Sequence, residues 1–215
     1  MRTIIIAFSE HPRGRRRVSG GFKPGLAAAV FFLLLTPAAA GDAPQTPAPT
    51  HLLAPGPTTL GTITPPKTTV GPASGLPVPR YVSLKSGRIN VRRGPGDDYP
   101  IEWVFEKRGL PVEVTAESDR WRRIRDREGD VGWVWHSMLD GRRTALVENR
   151  TGDTAPVAIH GEPDPASSVV AYAEAGVIAQ LVGCKGVWCE VKASGYEGWT
   201  LRDQLWGTYP GENFD

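Results

Sequence analysis

Sulfur is scarce in this chain: 215 residues hold two cysteines and two methionines. A zinc site built on those cysteines would need two further ligands, and His160, the nearest histidine, stands alone. No metal and no cofactor is therefore expected. Long apolar runs are missing as well. Leu26 to Leu35 is the longest clear one at ten residues, about half of the roughly 20 needed to cross a bilayer. A basic surplus is also lacking where it would count. Residues 1–40 carry six basic and one acidic residue, 41–143 fifteen and twelve, and 144–215 four and ten. Without the first 40 residues the chain is acidic by about three charges, which speaks against nucleic acid as a partner.

What is abundant is turn chemistry: 25 glycines and 20 prolines break the chain into short apolar stretches. That pattern suits short strands rather than helices. One of these stretches occurs twice. Asp130-Val131-Gly132-Trp133-Val134-Trp135 has a looser copy in Gly195-Tyr196-Glu197-Gly198-Trp199-Thr200. Upstream, Trp121 with Ile124 matches Trp188 with Val191, and Gly109-Leu110 matches Gly176-Val177. The offset drifts only between 66 and 68 positions, so the folded part is one small β unit in tandem.

In chain order, residues 1–40 read as a signal peptide. Arg13, Arg15, Arg16, Arg17 and Lys23 precede the apolar run, and Ala38-Ala39-Ala40 offers a cleavage site before Gly41. An uncleaved anchor is the alternative. Residues 41–79 are rich in Pro, Thr and Ala with no apolar period, and are expected to form a disordered linker. Domain 1 then spans 80–141 and domain 2 spans 144–207. The short connector between them predicts that the repeats pack together.

Asn90-Val91-Arg92-Arg93-Gly94-Pro95, then Trp121 with Ile124, then Gly132-Trp133-Val134 resemble the bacterial SH3-like domain, whose pattern runs N-V-R-x-G-P, W-x-x-V, G-W-V. The second repeat keeps Trp188-Cys189-Glu190-Val191 and Gly198-Trp199, but shows Ala158-Ile159-His160-Gly161-Glu162-Pro163 in place of the first motif. The resemblance covers roughly residues 80–207. It implies an all-β fold of two small SH3-like barrels. It also implies a wall- or peptide-binding accessory role outside the cytoplasm, with peptidoglycan or an envelope protein's peptide as partner. Oligomeric state is left open.

Gly94, Gly132 and Gly198 are assigned to turns or close packing. Trp133 and Trp199 are expected to fill the small cores, with Trp188 a further structural residue. Trp121 and Ile124 lie three apart on one strand, so either a bulge intervenes or Trp121 faces outward. Tyr99, Trp121, Arg123, Arg125 and Trp135 form the candidate ligand groove, an aromatic platform with flanking cations; the alternative is that the tryptophans merely cover the barrel. Asp97, Asp98, Glu102, Glu162 and Asp164 read as solvated loop acids or a lure for a cationic ligand, and His136 as a turn residue. Cys184 and Cys189 flank a four-residue connection between two strands and face each other across it, so an exported chain would join them. Free thiols or a metal or redox site are the other possibilities. A cysteine hydrolase would need Cys184 free and a His base with its orienting partner. No such set is visible, and the chain reads as non-enzymatic.

Overall fold

A computed structural model describes residues 5–6, 15–17, 66–149 and 155–214. A compact unit formed by residues 1–19 and 63–215 contains both repeats. The first barrel comprises β1 (Arg80–Leu84), β2 (Ile89–Arg92), β3 (Ile101–Phe105), β4 (Pro111–Ser118), β5 (Trp121–Arg125), β6 (Val131–Trp135) and β7 (Leu139–Asp140). The second comprises β8 (Thr144–Val147), β9 (Val157–His160), β10 (Val169–Ala173), β11 (Ile178–Lys185), β12 (Trp188–Ala193), β13 (Tyr196–Leu201) and β14 (Leu205–Trp206). A single 3-10 turn, His136–Met138 or Arg202–Gln204, separates the last two strands of each. No α-helix occurs among the described residues, and no helix there is long and apolar enough to cross a membrane.

Strand order is β7-β1-β4-β5-β6-β2-β3 in one sheet and β14-β8-β11-β12-β13-β9-β10 in the other, so the duplication is complete in topology. Even the bulges coincide. They fall between Val91 and Arg92 and between Ile159 and His160, then between Val114 and Ala116 and between Leu181 and Gly183. The register makes each residue's counterpart explicit. Trp121 opposes Trp135 as Trp188 opposes Leu201, and Trp133 meets Arg92 as Trp199 meets His160.

Glycine decides which way the tryptophans point. A Cβ on Gly132 would lie 2.4 Å from Val91 Cγ1, and one on Gly198 would lie 2.4 Å from the His160 carbonyl oxygen. Both glycines therefore take the inward position of the pleat, and alternation turns the next residue out. This corrects the expectation for Trp133 and Trp199: both are half-buried on the outer face and belong to neither core. Val134 and Thr200 are buried in their place. Trp188 is likewise half-buried, its ring edge-on to His160 at 5.5 Å. The core aromatics of the first barrel are Trp103 and Phe105. The register gives their counterparts as Ala171 and Ala173, and the second barrel fills its centre with Leu181, Val191 and a Cys184–Cys189 disulfide.

The expected linker ends earlier than residue 79. Thr69–Val70 and Pro77–Val78 pair as a hairpin, and its turn is held by one carboxylate. Glu117 on β4 accepts from the Ala73 and Ser74 N–H groups at 3.1 and 2.9 Å and from Ser74 Oγ at 2.6 Å. A tertiary partner some 40 residues away orders a segment whose own composition could not. Residues 41–65 lie outside the described residues. Of the expected signal peptide, Arg15–Arg17 pair along β3 and Ile5–Ile6 along β10; its remainder lies outside them too.

Candidate functional site

Two equivalent grooves mark the barrels, each at the hairpin joining the fourth and fifth strands and beside the 3-10 turn. The first, about 460 Å³, is lined by Pro72, Ala73, Asp119, Arg120, Arg122 and His136. The second, about 640 Å³, is lined among others by Gly186, Val187, Leu201, Arg202, Leu205 and Pro210. Matched by register, Asp119, Arg120, Trp135 and His136 correspond to Gly186, Val187, Leu201 and Arg202.

The floor of the first groove is electrostatic. Glu117 is fully enclosed and Arg122 nearly so, with 8% of its side chain exposed, and they approach to 3.3 Å. Arg80 adds a second cation at 2.9 Å. Burial pushes the Glu117 carboxyl upward, but hydrogen bonds from Ser74, Arg80 and the Ala73 N–H prevail and bring it down to about 2. Arg122 also donates to the carbonyl oxygens of Asp119 and Trp121 at 2.9 and 3.0 Å, so its donors are directed inward. At the same cross-strand position of the second barrel stand Cys184 and Cys189, bonded to each other. Thus Cys184 supplies no thiolate.

On the outer face of the same hairpin, opposite the ion pair, Trp121 meets Trp135 edge to face at 5.3 Å, and the exposed Arg120 guanidinium lies 5.8 Å over the Trp135 ring. His136 tilts against Trp135 at 5.7 Å. Trp121 faces outward as strand parity allowed, and is only 8% exposed because its aromatic neighbour covers it.

The structure divides the five residues of the expected groove. Trp121 and Trp135 come together, and Arg123 is exposed on the same face of β5, opposite Trp133. Arg125 does not join them. It pairs with buried Glu113 at the junction of the barrels, where Tyr209 Oη donates to the other Glu113 oxygen at 2.8 Å. Tyr99 is also elsewhere: its ring packs on Gly94, where a Cβ would come within 2.4 Å. Arg120 is exposed, lines the groove and has no carboxylate partner among the described residues, yet four arginines within six positions give no sign in sequence of which is paired.

The junction itself is built from side chains of both repeats. Tyr81 stacks near Trp206 and Tyr209 at 5.3 and 4.7 Å, and Thr144 Oγ1 donates to the Gly109 carbonyl at 2.8 Å. Burial, reinforced by Glu113, pushes the Tyr81 hydroxyl up to about 12 and the Tyr209 hydroxyl higher still. Both remain protonated at neutral pH.

Two small antiparallel barrels, each with a solvent-facing groove, define a tandem module of the SH3 type. The bacterial SH3 domain family matches residues 85–141 and 154–207, a little over half the chain, and the chain belongs to that family. Among solved structures, NlpC2 from Trichomonas vaginalis is similar at 14% identity and a TM-score of 0.28, with 61% of this chain and 49% of that one covered. NlpC1 from the same organism is similar at 14% identity and a TM-score of 0.28, covering 63% and 48%. The chain thus spans about half the length of those structures. No curated protein matches it. Among the described residues, no group of three or more His, Cys, Asp or Glu is placed to hold a metal.

Proposed function

We propose that this protein is a non-catalytic binding module of the cell envelope that attaches to peptidoglycan through its first barrel. The observation that carries the reading is the exposed Arg120 guanidinium, which lines the first groove and lies 5.8 Å over the Trp135 ring beside it, within a family whose domains commonly bind the wall. Rings offer flat area to sugar and peptide faces, and the cation selects among them. The signal-like residues 1–40 and the disulfide support an exported location. Sedimentation of the full chain with purified peptidoglycan sacculi at low salt tests it. Retention is expected; a chain that stays in the supernatant contradicts the reading.

One observation favours a second reading, a scaffold or regulator that docks on an envelope protein. Val187 is 66% exposed at the rim of the apolar second groove, a chemistry suited to a protein's peptide segment. Crosslinking in intact cells separates the two, because a single stoichiometric protein adduct would favour the scaffold.

A further inference from the structure

The two grooves occupy the same place on the same fold, and their difference is one of charge. Around the first, Arg80, Arg120 and Arg122 outnumber Glu117 and Asp119 by one. Two of those arginines already face Glu117, and Arg122 gives further donors to backbone carbonyls. Arg120 has no carboxylate partner among the described residues and lies 5.8 Å over the Trp135 ring. In the second groove its position is taken by Val187, and Leu201 replaces the supporting ring. Arg202, in place of His136, is buried and turned toward the C-terminal segment, where it donates to the Glu212 carbonyl. Outside the grooves the contrast repeats: beside Trp133 stand Arg92 and Arg123, while beside Trp199 stand His160 and Glu190.

We infer that the first groove is a carboxylate-binding subsite in which Arg120, held by Trp135, is the charge-reading residue, and that the second groove has no such capacity. This deepens the wall-binding reading and rests on it, since the stem peptides of peptidoglycan end in free carboxylates. An exposed guanidinium with no carboxylate partner keeps its N–H edge open, and that edge matches the two oxygens of a carboxylate. Asp119 lines the same groove, and its repulsion grows with the charge of the ligand, so a single carboxylate is disfavoured less than a polyanion.

The test uses the full chain and soluble muropeptides, once with free stem-peptide carboxylates and once with those carboxylates amidated. Binding is read by titration calorimetry. Amidation is expected to weaken binding about tenfold, as is Arg120→Val, which copies the second repeat. In the Arg120→Val variant the free and amidated ligands should bind alike, and Arg120→Lys should restore part of the preference. Because Arg120 is exposed, these variants leave the packed core untouched. If the wild-type chain sediments with sacculi yet ignores amidation, or Arg120→Val keeps the full preference, the subsite is wrong while wall binding stands. If the wild-type chain neither sediments with sacculi nor binds the muropeptides, both fall.

Discussion

At one cross-strand position the two barrels solve the same problem with different chemistry. In the first, Glu117 and Arg122 face each other in a buried ion pair; in the second, Cys184 and Cys189 form a disulfide. Each clasp also secures a neighbouring segment that walls the groove. Glu117 binds the turn at Ala73 and Ser74, while Cys184 receives the C-terminal segment through its N–H to Phe214 O at 2.9 Å. The lesson concerns what the groove can then offer. An ionic clasp brings arginines to the site, one of them exposed and without a carboxylate partner among the described residues, whereas a covalent clasp needs no charge and leaves a mostly apolar groove. The cores differ in a related way: Trp103 and Phe105 fill the first, and the second, with alanines in those places, is small enough to benefit from a crosslink.

The sharpest way to break this comparison is to remove the ionic clasp alone. Glu117→Gln leaves Arg122 buried without its counter-charge and is expected to cost about 3 kcal/mol in denaturant unfolding. Its pH dependence follows from the folded carboxyl lying near 2, below the ordinary 4.5. The stabilisation is fully present above the unfolded value and disappears as pH falls from about 4.5 through about 2. The gap between wild type and Glu117→Gln should therefore close over that window, while the disulfide position does not titrate. Of comparable size are the inward glycines. Gly198→Ala meets a backbone oxygen that cannot step aside, and should cost about 3 kcal/mol. Gly132→Ala meets the Val91 side chain first, with the Arg92 carbonyl oxygen 3.1 Å away, and should cost nearer 2.

Opening the covalent clasp with Cys184→Ala and Cys189→Ala together should cost about 2 kcal/mol, given the short loop it closes. Hydrogen exchange should show that loss in β11 and β12 rather than in β4 and β5. The smallest effect belongs to the junction. Tyr209→Phe removes the donor to buried Glu113 and should cost about 1 kcal/mol, measured as lowered stability of the paired barrels at neutral pH.

Much of this was legible before any coordinates. Turn residues and short apolar stretches mark the chain as β rather than helical, and the spacing of Trp121 and Trp188 reveals the duplication. The disulfide follows from two cysteines in one hairpin. The facing of Trp133 and Trp199 was misjudged because large rings look like core, although the glycine before each already claims the inward slot. Glu117 and Arg122 were missed for a different reason. Neither is unusual alone, and only alignment with Cys184 and Cys189, 67 positions later, shows that they form a pair. The same holds for the hairpin at residues 69–78, whose order depends on that distant carboxylate. Arg125 was drawn out of the expected groove by Glu113, a tertiary contact with no trace in strand periodicity.

The most direct test of the divided grooves is to label the seven tryptophans with nitrogen-15 and follow their indole N–H resonances as soluble muropeptide is added. Trp121 and Trp135 should shift in step with binding while Trp188 and Trp199 hold still. Binding that moves Trp188 or Trp199 and leaves the first pair unchanged would contradict the account.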